Sequence, residues 1–519
     1  MTSETILVLL FIVATGVAIL ARRLGLPYTV ALVIAGLLLG QVHLLDPPHL
    51  TQQLLFTVFL PGLIFEAAFH LDFTFFRRDL PHILGLAVPG VLAAILLTAA
   101  ILVPAATVLP LEHALTWPHA LVFGALIAAT DPIAVVGLFR SLGAPPRLAA
   151  LLEGESLLND GTSIVFFSLI LGVVGGATVS AADIVVEFGR VVGLGIGVGA
   201  VVGLAISVAI QRIDDPMIEI TLTSIAAYGS FIAAEQFHGS GVIATVVAGM
   251  VCGNYGARTG MTPTTRVAVE TFWEYIAFAL NSIIFLLIGF EVHLSEVARW
   301  WWLILPAFAA VLVGRGGVVY GVTAIVSRRT DPIPGSWRAV LTWGGLRGGL
   351  SMVLALSLPA DFANRELMIT TTFGVVVLSI LVQGLSMGWL LRRLGLIESR
   401  ADQTAYDLHR GELRLTQAAL AELAVMRRTG QADSAGLEAL ITEYEARRDT
   451  IQEQLHQLLN ERDGLRQAGL KRVRRHLLMV EKSTALANSR EGLLSRDAYE
   501  GLMAEVNDRL LKLDLPPGE

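Results

Sequence analysis

The sequence predicts an all-α polytopic membrane protein that ends in a soluble helical tail. Of its 519 residues, 54% are hydrophobic and only 16% are charged, and the mean hydropathy is +0.67; soluble globular domains carry more charge. Apolar stretches long enough to cross a bilayer recur up to residue 397, and charged residues become frequent after it. The chain is therefore predicted to comprise a membrane domain, 1–397, and a cytoplasmic helical tail, 398–519.

About thirteen apolar stretches are predicted to form membrane-spanning helices, because each contains about 16 to 29 residues and a helix rises 1.5 Å per residue. Their limits are 4–22, 27–43, 52–71, 81–109, 117–139, 148–174, 181–210, 217–236, 239–255, 268–292, 299–326, 336–358 and 366–391. The seventh is the natural centre of two inverted six-helix repeats. The single cysteine, Cys252, excludes an intramolecular disulfide and a cysteine-rich metal site.

Arginines in the short loops predict the orientation. They follow the odd-numbered spans: Arg22, Arg23, Arg77, Arg78, Arg140, Arg147, Arg212, Arg258, Arg266, Arg328, Arg329, Arg338, Arg392 and Arg393. The alternate loops contain few basic residues. Because basic loops stay in the cytoplasm, we expect a multi-pass protein of the plasma membrane with its N-terminus outside and its tail inside.

The fifth predicted span contains ALIAATDPIAVVG, in which Asp131 and Pro132 interrupt an apolar segment. Proline lacks an N–H and clashes with the preceding turn, so the carbonyl of Ala128 loses its partner. A kinked helix with a capping aspartate is the simpler interpretation. A free carbonyl beside a carboxylate is also a cation ligand, which makes this break a candidate ion site.

The twelfth predicted span contains LTWGGLRGGLSMV, where four glycines surround Arg347. Glycines loosen a helix, and an arginine at membrane depth is costly without a partner. The two interrupted spans, five and twelve, occupy corresponding positions of the proposed repeats, a pattern that indicates a transporter substrate site near the midplane. We expect Arg347 to neutralise helix C-terminal ends there and Asp131 to neutralise N-terminal ends.

The sixth predicted span contains the polar stretch EGESLLNDGTS, residues 153–163. On a helix its polar residues form one stripe that faces the bundle interior, made of Glu155, Ser156, Asn159 and Asp160. A structural salt bridge is the alternative role for such residues. Glu155 needs a buried cation, and the membrane domain offers two mid-span arginines, Arg315 and Arg347; a pair with Arg315 would be a structural brace. Asp160 has no basic residue within a helical turn.

Asp160 is therefore predicted to join Asp131, Ser156, Thr130 and the carboxylate of Glu66, from the third span, around an ion. Hard oxygen ligands suit an alkali cation, and no His/Cys cluster suggests a transition metal. Loss of hydration disfavours an ionised carboxylate, so a proton and a cation compete for it. One-for-one competition predicts electroneutral exchange that is insensitive to membrane potential. A second aspartate at position 159 would alter that prediction, but the chain has Asn159.

Four segments, FEAAFHLD, ATDPIAVVGLF, EGESLLNDGTSIVFF and GGLRGGLS, resemble the sodium/proton exchangers of the cation:proton antiporter superfamily, bacterial type, in the branch that carries Asn-Asp. The similarity covers about residues 5 to 395. It implies a homodimer of thirteen-span protomers with discontinuous crossing helices and a mobile six-helix core that moves like an elevator. It also implies exchange of one sodium or lithium ion for one proton; the ligand chemistry leaves potassium open.

The resemblance assigns roles to individual residues. Sodium would bind at Asp160, Ser156, Thr130 and Glu66, with Asp160 also the proton-binding carboxylate. The supporting residues would be Asn159 and Asp131 at the crossing, Glu155 and Arg315 in a core salt bridge, and Arg347 at the twelfth-span break. The expected partners are membrane lipids and a second copy of the chain; no cofactor, enzymatic activity or nucleic acid is predicted.

Two other functions stay open. A cation channel or uniporter would use the same carboxylates, although nothing resembles a carbonyl-ring filter. A transport-dead membrane sensor would signal through the tail, although no recognisable output domain follows residue 398. The tail itself shows helical spacing of apolar residues from Leu437 to Leu458, which favours a packed helix pair over a dimeric coiled coil. Its basic segment KRVRRH, 471–476, is interpreted as a solvated face or as a contact with anionic lipid.

Overall fold

The computed structural model describes residues 3–24, 27–42, 52–107, 116–142, 144–176, 180–292, 294–396, 400–429 and 434–461, with single residues and short runs between 470 and 509. The chain divides into two compact units, Met1–Leu396 and Ile397–Glu519. Within the described residues the regular structure is helical, without strands. The prediction of an all-α fold is confirmed.

The described residues of the first half of unit 1 form six helices, of which the fifth is interrupted. They are α1 Ser3–Leu24, α2 Tyr28–Val42, α3 (Gln52–Leu54, a π-helical turn Leu55–Phe59, then Leu60–His70), α4 (Phe73–Gly85, a π-helical turn Leu86–Gly90, then Val91–Thr107), α5a Trp117–Leu126, α5b Ile133–Leu142 and α6 Pro146–Val174. Pro89 lies in the π-helical turn of α4, where the wider hydrogen-bonding pattern accommodates a residue without an N–H.

The described residues of the second half form seven long helices, of which α12 is interrupted, and one short helix. They are α7 Ala181–Ile210, α8 Pro216–Gln236, α9 (Gly241–Val251, a π-helical turn Cys252–Gly256, then Ala257–Thr259), α10 Pro263–Glu291, α11 Trp301–Val326, α12a Gly335–Trp343, α12b Gly349–Leu356 and α13 (Arg365–Leu378, a π-helical turn Ser379–Gly384, then Leu385–Arg393). A short helix, Leu294–Arg299, precedes α11.

These helices follow the thirteen apolar stretches that the sequence predicts. Among the described residues, seven helices are long and apolar enough to cross a membrane; the total number of crossings stays a prediction. The largest difference is at α4, which begins at Phe73 rather than at residue 81. Its first two turns carry charge, so hydropathy misses them, but Asp72 caps the helix by accepting a hydrogen bond of 2.8 Å from the main-chain N–H of Thr74.

Small residues let the helices approach closely. Helix α10 packs on α2, and α7 packs on α9. At Gly199 of α7 a Cβ atom would collide with the carbonyl oxygen of Ala244 on α9. The glycine-rich run of α7 therefore serves close helix packing, as its sequence predicts.

The interruptions in α5 and α12 meet each other. Helix α5a ends at Leu126 and α5b begins at Ile133, while α12a ends at Trp343 and α12b begins at Gly349. The non-helical segments between them are joined by a hydrogen bond of 2.8 Å from the main-chain N–H of Asp131 to the carbonyl of Leu346. The polar helix α6 packs against both parts of α5 and against α12b, so its polar stripe lies beside this crossing.

Unit 2 contains two long helices, α14 Arg400–Thr429 and α15 Ser434–Glu461, which contact each other as a pair. Leu437 and Ile451 of α15 are buried, whereas Leu440 is exposed. The predicted helix pair is thus present in the tail. Most of the basic segment 471–476 lies outside the described residues.

Candidate functional site

Arg347 lies at the crossing of the two interrupted helices and binds the end of α5a. Its Nη1 donates hydrogen bonds to the carbonyl oxygens of Ala128, at 2.7 Å, and Ala129, at 3.2 Å. These carbonyls lose their helical partners where Pro132 stops the helix. The guanidinium is 4% exposed, and it places a positive charge at the negative end of a half-helix.

Asp131 lies at the same crossing and caps the other half-helix. Its Oδ1 accepts a hydrogen bond of 3.1 Å from the main-chain N–H of Ile133, in the first turn of α5b. The carboxylate also lies directly against Gly348, where a Cβ atom would collide with it. A glycine is therefore required at 348 for the two half-helices to approach.

Helix α6 fixes the non-helical segment of α5 through its polar stripe. The Ser156 hydroxyl donates to the carbonyl of Thr130 at 2.5 Å. The Asn159 amide donates to the carbonyl of Ala128 at 3.1 Å and to the Thr130 hydroxyl at 3.0 Å. Asn159 is thus occupied with the backbone of the crossing.

Asp160 is the residue in the polar stripe of α6 that remains available to bind a ligand. The main-chain N–H of Thr130 lies within hydrogen-bonding reach of its carboxyl group. One carboxyl oxygen, Oδ1, is buried and has no hydrogen-bond partner among the residues that the structure describes. A buried acceptor without a donor is expensive, so this oxygen calls for a proton or a cation.

A cavity of about 100 Å³ opens beside this oxygen. Thr130, Asp131, Ser156 and Asp160 line one side, together with Gly348 of the α12 break. Helices α3 and α10 also line the cavity. The cavity is large enough for a cation with part of its hydration shell, since one water needs about 10 to 15 Å³ by this measure.

Glu155 of the same helix faces away from the cavity and is closed off by Arg315. The two side chains form a bidentate pair, with Nη1–Oε1 and Nη2–Oε2 distances of 2.7 Å. Arg315 also donates to the carbonyl of Leu341 at 3.2 Å. Glu155 is fully buried and Arg315 is 5% exposed, so this pair joins α6, α11 and α12a inside the bundle.

A family model described as "Sodium/hydrogen exchanger, transmembrane" matches residues 7–393, a range that contains the crossing, the polar stripe and the cavity. The chain belongs to the sodium/hydrogen exchanger family.

Curated relatives and solved structures extend this assignment. The exchanger is 37% identical to the Na(+)/H(+) antiporter ApNhaP of Aphanothece halophytica over 95% of this chain and 94% of that protein. It is 41% identical to the Na(+)/H(+) antiporter NhaP of Pseudomonas aeruginosa over 66% of this chain and 81% of that protein. The sodium proton antiporter MjNhaP1 from Methanocaldococcus jannaschii has the same fold, with a TM-score of 0.61, 20% identity, and coverage of 76% of this chain and 99% of that chain.

Glu66 does not line the cavity of the exchanger. Its carboxylate lies 3.2 Å from Nδ1 of His70, one turn further along α3, and Leu63, Ile64 and Ala67 face the cavity in its place. The expectation that Glu66 surrounds the ion, which came from its place in the third span and from the resemblance, therefore stays a prediction.

Three features of the site were missed from the sequence. Glu153 lines the cavity and lies seven residues before Asp160 on α6, a spacing that does place both on one helix face. Asn281 of α10 also lines the cavity. A second buried ion pair, in which Arg147 donates to both oxygens of Asp79 at 2.7 and 2.8 Å, uses an arginine that the sequence places in a loop.

Proposed function

We propose that the protein exchanges an alkali cation for a proton across the cell membrane, and that the two bind in turn at Asp160. The single observation that carries the proposal is the partnerless, buried Oδ1 of Asp160 at the wall of a cavity. Around it lie the Thr130 main chain, Ser156 and Asp131, which are the hard oxygen donors that suit an alkali cation. The names of the relatives make sodium the first candidate.

Among the described carboxylates of the crossing, only that of Asp160 is available for exchange. Asn159 cannot ionise and is held by two hydrogen bonds. Asp131 caps α5b and is packed against Gly348, and Glu155 is paired with Arg315. One proton leaves Asp160 when one monovalent cation arrives, so we infer electroneutral one-for-one exchange by alternating access.

We infer a multi-pass arrangement in the plasma membrane with the tail in the cytoplasm, on the basis of the loop arginines. The resemblance further implies a homodimer and an elevator-like movement of the core. Helices α1 and α7 support contact with lipid or with a second copy, because they expose large apolar side chains: Val8, Ile12, Ile19, Val185, Val186 and Val201.

The candidate site favours antiport over a channel and over a transport-dead sensor. A channel would need a path that conducts without protonation, whereas the site presents one carboxyl that holds either ligand. A transport-dead sensor would not need the intact set of oxygen donors around Asp160. Membership of the exchanger family points in the same direction.

The test is transport by the purified protein in proteoliposomes that carry a pH gradient and a pH-sensitive dye. Addition of sodium should collapse the gradient in the wild type, and Asp160→Asn should reduce the rate at least about 100-fold, to the liposome background. Asp183→Asn is the matched control and should keep the wild-type rate; Asp183 is exposed at the start of α7, where its carboxylate accepts a hydrogen bond from the main-chain N–H of the N-cap residue Ser180.

Two results would contradict the proposal. Normal exchange by Asp160→Asn would show that the site lies elsewhere, and a potential-driven sodium current without proton movement would show a channel. Repetition with lithium and potassium determines the selectivity.

A further inference from the structure

The two walls of the cavity differ sharply in polarity. The wall made by α5, α6 and α12 carries the carboxylates and hydroxyls of the crossing. The wall made by α3 and α10 is apolar, with one polar exception among the described lining residues: its members are Leu60, Leu63, Ile64, Ala67, Ile284 and the exception, Asn281. An amide in an otherwise apolar wall requires an explanation.

Asn281 is buried without a visible partner. Its side chain is 8% exposed, and its carboxamide makes no hydrogen bond among the residues that the structure describes. What surface it retains faces the cavity. Because an unpaired buried amide is unfavourable, its partner is expected to be a ligand that enters this space.

Neighbouring contacts hold Asn281 in this position. The adjacent Ser282 faces the other way, where its hydroxyl lies 2.6 Å from that of Tyr28 on α2 and also donates to the carbonyl of Phe278. Tyr28 further stacks on the ring of Phe278, with centroids 5.2 Å apart. This turn of α10 is thereby fixed against α2, and the rotation of the helix turns Asn281 toward the cavity.

We propose that the carboxamide oxygen of Asn281 is a further ligand of the transported cation, supplied from the wall opposite Asp160 either directly or through one water of hydration. This inference rests on the proposed exchange at Asp160. A carboxamide oxygen is a hard, neutral donor of the kind that alkali cations accept. It takes up no proton near neutral pH, so it stabilises the cation-loaded site and contributes nothing to the protonated one.

Asn281 therefore distinguishes the two substrates of the site. Its loss should weaken cation binding while leaving the protonation of Asp160 unchanged. Protons then compete more effectively at a fixed sodium concentration, and the acidic limb of the activity profile moves to higher pH. A residue with a merely structural role would change neither quantity selectively.

The experiment compares Asn281→Leu, which keeps the number of side-chain heavy atoms, with the control Tyr275→Phe on the exposed side of the same helix. In proteoliposomes at alkaline pH, Asn281→Leu should raise KM for sodium about tenfold, the effect of one lost interaction of ordinary strength, with Vmax within about twofold of wild type. Tyr275→Phe should keep the wild-type KM. In detergent, sodium should raise the Tm of Asn281→Leu less than that of wild type, while the Tm without sodium should be equal or higher, because an unpaired amide has been removed.

A KM within twofold of wild type, or a lower Vmax at unchanged sodium affinity, would overturn the inference. If Asn281→Leu does not fold, the smaller Asn281→Ala is measured by the same sodium-dependent Tm shift, and an undiminished shift overturns the inference as well. Failure of the proposed function is distinguishable, because the wild-type protein would then show no exchange.

Discussion

Helix α6 carries two buried acidic regions, one around Glu155 and one around Asp160, which differ in whether an arginine pairs with the carboxylate. Glu155 and Asp160 lie five residues apart on the same continuous helix, but Glu155 is held in a bidentate pair with Arg315, at 2.7 Å for both contacts. Asp160 has a buried oxygen that finds no hydrogen-bond partner among the described residues, and it lines a cavity. Because Arg315 is a fixed countercharge for Glu155, Glu155 has a structural role. Asp160 has no such fixed countercharge, so it can bind an exchangeable one, a proton or a cation.

The difference extends to the surroundings of each carboxylate. Both carboxyl oxygens of Glu155 accept hydrogen bonds from Arg315, which also donates to the carbonyl of Leu341. Around Asp160 the neighbouring donors are engaged with the backbone of the crossing, as the hydrogen bond from Ser156 to Thr130 shows. The Glu155–Arg315 pair stabilises the packing of the helices. This stability offsets the cost of the unpaired carboxyl oxygen of Asp160.

The largest expected effect on stability comes from breaking the ion pair between Glu155 and Arg315. Arg315→Ala leaves Glu155 buried and unpaired, which should lower the free energy of unfolding by about 3–5 kcal/mol. Thermal unfolding of the purified protein measures the loss. Replacing both partners, Glu155→Leu with Arg315→Met, should restore most of the stability, because a well-packed apolar pair replaces the charges without a stranded one.

Arg190→Ala serves as the control, because its partner Glu187 is exposed on the first turns of α7 and such pairs contribute little. An Arg315→Ala protein as stable as the wild type would remove the distinction between the two regions.

A smaller effect is expected at the crossing that joins the regions. Arg347→Ala removes the donor for the carbonyls of Ala128 and Ala129, and hydrogen bonds to a charged group contribute about 1.5–3 kcal/mol. Unfolding should shift accordingly, and the transport rate should fall because the backbone around Thr130 loses its support. Arg347→Lys should restore the charge but only part of the hydrogen bonding. Equal stability and equal transport in Arg347→Ala would show that the crossing does not depend on this arginine.

The smallest effect is expected at a surface pair between the charged first turns of α4 and the segment that follows α11. Arg78 donates to Asp331 at 2.8 and 3.0 Å, and the Asp331 side chain is 49% exposed, so Asp331→Asn should cost at most about 0.2–1 kcal/mol. The hydrogen bond from Arg78 holds the pKa of Asp331 below its ordinary value. Its contribution is therefore present above the ordinary aspartate pKa and is lost as the pH falls through the lowered one.

The difference in Tm between wild type and Asp331→Asn should accordingly vanish in acid and shrink in high salt. A difference that grows as the pH falls would contradict this sign.

Much of this architecture could be predicted because it depends on local sequence. Helix α7 begins and ends where its apolar stretch predicts, and Pro132 and the glycines around Arg347 mark both interruptions. Counting buried charges left Arg315 and Arg347 as candidate partners of Glu155, and the resemblance selected Arg315. These features need only hydropathy, backbone chemistry and the cost of an unpaired charge.

The remaining features depend on tertiary contacts. Asn281 looks unremarkable in an apolar helix until packing against α2 turns it toward the cavity. The Arg147–Asp79 pair joins residues 68 positions apart, and Arg147 alone resembles any loop arginine. Glu66 and His70 are one helical turn apart, so the i, i+4 spacing alone could have predicted their contact. The sequence analysis instead expected Glu66 to contact the ion.

The central claim is that a proton and a cation displace each other from one carboxyl group, that of Asp160. Calorimetric titration of the purified protein with sodium over a range of pH, in buffers of different ionisation enthalpy, measures both the affinity and the protons released. Where the site is mostly protonated, each unit fall in pH should weaken the apparent affinity about tenfold, and each bound sodium ion should release about one proton. A sodium affinity that is independent of pH, without proton release, would contradict the account.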